Sequence, residues 1–156
     1  WSYGARSGAA SAVGQRMWTA SAPVQIDKTA ESVAEIKREI ADFASGKQGA
    51  SAEEVSGMQK ILTLSLPGAY ETAASVMGTI GSNVLYGRPD DYVFKRKAEI
   101  EAMTPAQVDV AAKALDVQAL TWVVVGDLSK TEQVVRALDL GEVTILDADG
   151  KPVAKK

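Results

Sequence analysis

None of the 156 residues is His and none is Cys, which restricts from the outset what chemistry this chain can do. A Ser-His or Cys-His nucleophile pair cannot be built from it, and neither can a zinc site ligated by His or thiolate. What remains are carboxylates, hydroxyls, Lys and Tyr. Glu53-Glu54 and Asp90-Asp91 are adjacent carboxylate pairs, but both fall at expected helix starts, where negative charge favours the positive end of the helix dipole. Asp147-Ala148-Asp149-Gly150 resembles the opening of a calcium loop. That loop needs a Glu eleven residues after its first Asp, so the segment reads as a hairpin turn. Gly126-Asp127 lacks the further glycines of a nucleotide-binding turn and reads as a strand exit. A Ser-Lys dyad stays open, although no spacing selects one.

Tyr3 differs from these. Its phenol stands near the start of a strand between Ser2 and Gly4, where an exposed hydroxyl can donate to a peptide carbonyl. The alternative is plain sheet packing.

Composition narrows the class of protein. Apolar residues make up 46 % and charged residues 24 %, which suits one globular domain with its own core. No apolar run approaches the roughly 18 residues of a membrane span. A net charge of −3 and a pI near 5.0 argue against nucleic acid as the main partner. The short basic runs Lys37-Arg38 and Lys95-Arg96-Lys97 read as solvated helix faces beside acidic residues.

The elements that must position Tyr3 begin with the first 26 residues, whose Ser, Gly, Ala and interspersed aromatics predict a β-hairpin turning at Ala10 to Val13. Trp1 reads as a cut through this element, so the domain spanning 1–156 is expected to be incomplete at its N-terminus. A helix to about Ala44 carries the apolar stripe Val33, Ile36, Ile40 and Phe43. Ser51 and Glu54 form a capping box for a second helix, with Val55, Met58, Ile61 and Leu62 as its inner face. Pro67-Gly68 interrupts it. A third helix is expected from about Ala69 to Leu85, with Gly78, Gly81 and Ser82 allowing close packing. Asp90 is the expected cap of a short helix to Glu101. Thr104-Pro105-Ala106-Gln107 opens another helix, to about Leu115. Leu120 to Asp127, nearly continuous in apolar and β-branched residues, predicts the central strand. Ser129 to Glu132 reads as a further capping box, and 142–146 as a final strand, with Val153 pairing back across Asp149-Gly150. The fold class is α+β, a small, mainly antiparallel sheet covered by helices.

Taken together these segments resemble the pitrilysin/insulinase-type zinc metallopeptidases, the inverzincins. The similarity runs through Trp1-Ser2-Tyr3-Gly4-Ala5-Arg6-Ser7, then Gln25-Ile26-Asp27-Lys28-Thr29 with Ser32, Ile36 and Glu39. It continues in Leu66-Pro67-Gly68-Ala69-Tyr70-Glu71-Thr72 and Tyr86-Gly87-Arg88-Pro89-Asp90-Asp91-Tyr92. Ile100, Met103-Thr104, Val108 and the run Val123-Val124-Val125-Gly126-Asp127 complete it.

The resemblance implies the second half of a non-catalytic, C-terminal-type domain, a metallopeptidase half-domain of the processing-peptidase kind. Its first strands and a helix would lie ahead of Trp1. No catalytic residue and no metal ligand is expected here; the zinc would sit in the parent chain or in a partner subunit. Tyr3 matches a substrate-binding Tyr whose Arg partner would fall four positions before Trp1. The pair would donate hydrogen bonds to the substrate carbonyl. The implied partners are a peptide substrate, the N-terminal catalytic domain or a partner subunit, and a second copy through an open sheet edge. The alternative function is a non-catalytic scaffold or assembly subunit of the same fold. Bacterial relatives favour the periplasm, and the cytoplasm stays open.

Overall fold

A computed structural model describes residues 1–153. The expected hairpin is present, though shorter than its sequence suggested. Strands β1 (Arg6–Ala9) and β2 (Trp18–Ser21) pair antiparallel, from Arg6 opposite Ser21 to Ala9 opposite Trp18. The Ala10 N–H donates to the Met17 carbonyl at 2.8 Å, and Arg16 Nε donates to the Ala10 carbonyl at 3.1 Å across the turn. Pairing resumes beyond the strands, where Ser2 bridges Val24 and the Gln25 N–H donates to the Trp1 carbonyl at 3.0 Å.

A short 3₁₀ turn (Ile26–Lys28) leads into α1 (Thr29–Ser45). Gly46 ends α1 in the left-handed region, at φ 75°, with its N–H on the Phe43 carbonyl at 3.1 Å. Only a residue without Cβ takes that conformation at little cost. Along α1, Val33 is buried and Ile36, Ile40 and Phe43 are half-buried, as the stripe requires. The helix packs on α5 (Pro105–Ala112) and α6 (Leu128–Ala137).

Both strong capping boxes form. Ser51 Oγ accepts from the Glu54 N–H at 3.2 Å, while Glu54 Oε2 accepts from the Ser51 N–H at 2.9 Å, opening α2 (Ala52–Leu64). Thr104 and Gln107 do the same for α5. A side chain with no local sequence signal ties two helices together. Gln59 Nε2 of α2 lies 2.9 Å from the Ile100 carbonyl, 3.1 Å from that of Glu101 and 2.9 Å from that of Met103. It thereby reaches the carbonyls at and just beyond the end of α4 (Tyr92–Ala102), where helix bonds run out; that of Ile100 also accepts from the Met103 N–H at 3.2 Å.

Several expectations need correcting. The third helix, α3 (Ala73–Leu85), starts later than the expected Ala69, after a 3₁₀ turn at Gly68–Tyr70, because Thr72 caps it by accepting from the Ser75 N–H. Asp91, not Asp90, precedes α4, and its side chain makes no cap bond. The cap of α6 is Asp127, whose Oδ1 accepts from the Ser129 N–H at 3.0 Å and from its hydroxyl at 2.7 Å. These bonds stabilise the ionised form and hold the Asp127 carboxyl below its ordinary range. Gly78 and Gly81 face open space rather than a neighbouring helix. The inner face expected of α2 is largely uncovered, with Met58, Ile61 and Leu62 exposed, and α3 buries no residue.

The largest departure concerns the sheet. Among the described residues it has two strands only. Leu120 to Gly126 forms no ladder, and 142–146 contributes only an isolated bridge between Leu146 and Pro152. The Asp147–Gly150 turn behaves as expected: Asp147 Oδ1 accepts from the Asp149 N–H at 2.9 Å and the Lys151 N–H at 2.8 Å, and Val153 pairs back to Ile145. A strand is made by its partner, and these segments lack one. The buried apolar set is correspondingly small: Val33, Val55, Ile100 and Ala112. The accessible surface is 11818 Å², against roughly 7,500 Å² for a compact monomer of this mass.

Asp42, on α1, is the buried acidic residue around which the charges of that helix gather. It accepts from Lys47 Nζ at 3.0 Å and from Arg38 at 3.0 Å, while Arg38 also pairs with Glu35 and Glu39. The hydrogen bond from Lys47, then that from Arg38, pulls the Asp42 carboxyl below its ordinary range. Because the folded value is the lower one, its stabilisation is complete above the unfolded pKa, about 3.9. It is lost as pH falls through the folded value. Asp42→Asn is therefore expected to lower thermal stability at pH 7, with the deficit shrinking below about pH 3.9. Calorimetry of both proteins from pH 7 to pH 3 checks this; an unchanged gap at pH 3 would contradict it.

Candidate functional site

Tyr3 is held by its backbone and free at its side chain. Its N–H donates to the Pro23 carbonyl at 3.3 Å, which also accepts from Ser2 Oγ at 3.1 Å. Ser2 Oγ in turn accepts from the Gly4 N–H at 3.1 Å, and Gly4 has φ 108°. A fixed backbone thus carries a phenol that is 91 % exposed. Packing does not account for this side chain, since it packs on almost nothing. As an O–H donor on a pinned strand end, it can reach a carbonyl of a molecule lying against the hairpin.

Beside the hairpin lies the main apolar feature, a groove of about 950 Å³. One wall is β2 and the residues following it, the floor includes Val33, Ile36 and Ile40 of α1, and the far wall is Ala119 to Gly126. Sequence reasoning placed a central strand in that far wall. Its residues are extended and apolar, yet none of the backbone groups from Leu120 to Gly126 pairs with another backbone group among the described residues. Val123 and Val125 are 80 % and 93 % exposed. The opposite wall is also open, because β2 pairs with β1 on one side only. Two unpaired strand edges therefore border one apolar floor.

Ser32, also on the groove, shows the same incompleteness at the level of one atom. The residue is 6 % exposed, and its hydroxyl has no hydrogen-bond partner among the described residues. An orphaned buried hydroxyl costs about 1–3 kcal/mol, and an incoming polar backbone group would relieve it. The sequence offered no signal for this, since burial of Ser32 depends on neighbours remote in the chain.

The residues present do not fit a catalytic zinc. The chain has no His or Cys, and among the described residues no three carboxylates stand together as a ligand set. No helix among them is long and apolar enough to cross a membrane. No family description, no curated protein and no solved structure matches the chain.

The open wall has a direct consequence in dilute solution. Amides of Leu120 to Gly126 are expected to exchange with solvent nearly as fast as in an unfolded peptide, while those of α1 from Ile36 to Phe43 are protected. Hydrogen exchange followed by NMR checks this residue by residue. Slow exchange at Val123 and Val125 in the dilute monomer would contradict the unpaired edge.

Proposed function

We propose that this chain is a non-catalytic, C-terminal-type domain of an inverzincin-type zinc metalloendopeptidase, contributing peptide binding and chamber closure. The observation that carries the reading is Tyr3, whose backbone is pinned by Pro23 and Ser2 while its phenol stands in solvent. A donor so placed suits the carbonyl of an extended substrate peptide, and it occupies the position where the family resemblance puts a substrate-binding Tyr. The ordered run of matching segments, from Trp1 to Asp127, supports the same reading. Zinc and general base would lie in the parent polypeptide or in a partner subunit, because this chain has no His or Cys to supply as ligands.

The groove supports the second part of the proposal. A strand entering between β2 and Leu120–Gly126 would meet unpaired backbone on both sides and the α1 stripe beneath. In the assembled peptidase that strand would come from the rest of the enzyme. In the isolated chain it comes from a second copy. The surface exposed beyond that of a compact monomer, roughly 4,000 Å², well exceeds the roughly 800 Å² per partner of a standard interface.

Two experiments test these parts separately. The chain alone is expected to bind an extended unfolded peptide without cleaving it, whether or not zinc is added, and Tyr3→Phe is expected to weaken binding about 2- to 10-fold. Titration calorimetry and a peptide-cleavage assay check this. Zinc-dependent turnover by the purified chain would contradict the non-catalytic role, and absence of peptide binding would leave the scaffold function in its place. Light scattering at high concentration is expected to give a dimer that Val123→Lys with Val125→Lys dissociates. A monomer at all concentrations would overturn the second part.

A further inference from the structure

A second cavity, of about 680 Å³, lies on the side of α3 and α4. Its wall carries four cationic side chains, Arg16, Arg88, Arg96 and Lys97, and no carboxylate. In a chain with net charge −3 this concentration runs against the overall balance. Lys97 pairs with Glu101, which is not on the wall. Arg16, Arg88 and Arg96 form no ion pair among the described residues, while Asp91, just ahead of α4, is taken by Lys95. Like charges gathered without a counter-charge repel one another, and an anion between them relieves that.

Arg88 is also preorganised. Its guanidinium lies 4.6 Å from the centre of the Tyr86 ring and 4.5 Å from that of Tyr92. One nitrogen donates to Ser82 Oγ at 3.2 Å. Held by two rings and one hydroxyl, it still has N–H donors uncommitted, and the cost of ordering a long side chain has already been met. Asn83 adds a neutral donor to the same wall, while the Thr79 hydroxyl is committed to the Ser75 carbonyl at 3.1 Å.

We propose that this cavity binds a small soluble phosphate compound, through one or more phosphate groups. A single carboxylate would satisfy only one of the three unpaired guanidiniums. A phosphate monoester or pyrophosphate carries about two negative charges or more and several acceptor oxygens, matching planar Arg forks and the Asn83 amide. A concave space of this volume suits a compact solute rather than a lipid surface. The site is separate from Tyr3 and from the groove, and it does not depend on the peptidase reading.

The test is titration calorimetry of the full chain with pyrophosphate at constant ionic strength. Saturable binding is expected, weakened about tenfold by Arg96→Gln and by Arg16→Gln. Arg6→Gln, which changes a guanidinium off this wall, is expected to leave it unchanged. Both tested arginines are solvent-exposed; Arg96 makes the cleaner variant because Arg16 also holds the Ala10 carbonyl across the hairpin turn, and circular dichroism verifies that each variant keeps the fold. Four outcomes would overturn the proposal. These are no saturable binding, equal weakening by Arg6→Gln, citrate binding as tightly as pyrophosphate, and attachment to phosphatidate vesicles that pyrophosphate does not displace.

Discussion

The contact on which the rest depends is α1 against α5 and α6, which leaves the apolar stripe of α1 as the floor of a groove between the hairpin and the Leu120–Gly126 segment. Val33 is buried there and Ile36 and Ile40 only half so, because the surface they lie against is not a closed sheet. Hydrophobic burial scales with area removed from water, and a helix on two separated strand edges removes little. The small core, the orphaned Ser32 hydroxyl and the large accessible surface are three expressions of that one gap. What holds the chain meanwhile is largely local: capping boxes, the Gln59 clasp on the end of α4, and the ion pairs around Asp42.

This explains which parts of the fold were legible in the sequence. Ser51 with Glu54 and Thr104 with Gln107 announce helix starts because each pair acts over three residues and needs nothing distant. The hairpin was legible for the same reason. Leu120 to Gly126 was not, since its composition states a preference for a sheet but cannot supply the neighbour that makes one. The α2 face failed likewise: Met58, Ile61 and Leu62 have the spacing of an inner face and stand exposed. Asp127 displaced Ser129 as the cap of α6 because its carboxylate reaches two donors of Ser129 at once.

Of the candidate sites, Tyr3 was legible as a position and not as an environment. Its neighbours in sequence suggested a strand end, whereas its free phenol depends on Pro23 and Ser2 closing the backbone beneath it. The arginine cavity could not be read from the chain at all. Arg16 lies in the hairpin turn and Arg88 before α4, and only the tertiary fold brings them to one wall with Arg96. The basic run Lys95-Arg96-Lys97 reads as a solvated face beside acidic residues, and it is one: Lys95 pairs with Asp91, Lys97 with Glu101, and Arg96 is exposed. What the run does not announce is that Arg96 and Lys97 share a wall with Arg16 and Arg88. Among the described residues the two features are distinct: an apolar groove bordered by backbone without ladder partners, and a cavity wall with three arginines outside any ion pair.

The central claim is that the groove between β2 and Leu120–Gly126 is completed by a strand from another polypeptide. The most direct measurement is isotope-filtered NMR on a concentrated mixture of labelled and unlabelled chains. Intermolecular contacts from the Val123 and Val125 amides to the backbone of a second copy, at the short distances of adjacent strands, are the expected result. A dimer whose intermolecular contacts lie elsewhere, with these two amides still exchanging freely, would contradict it.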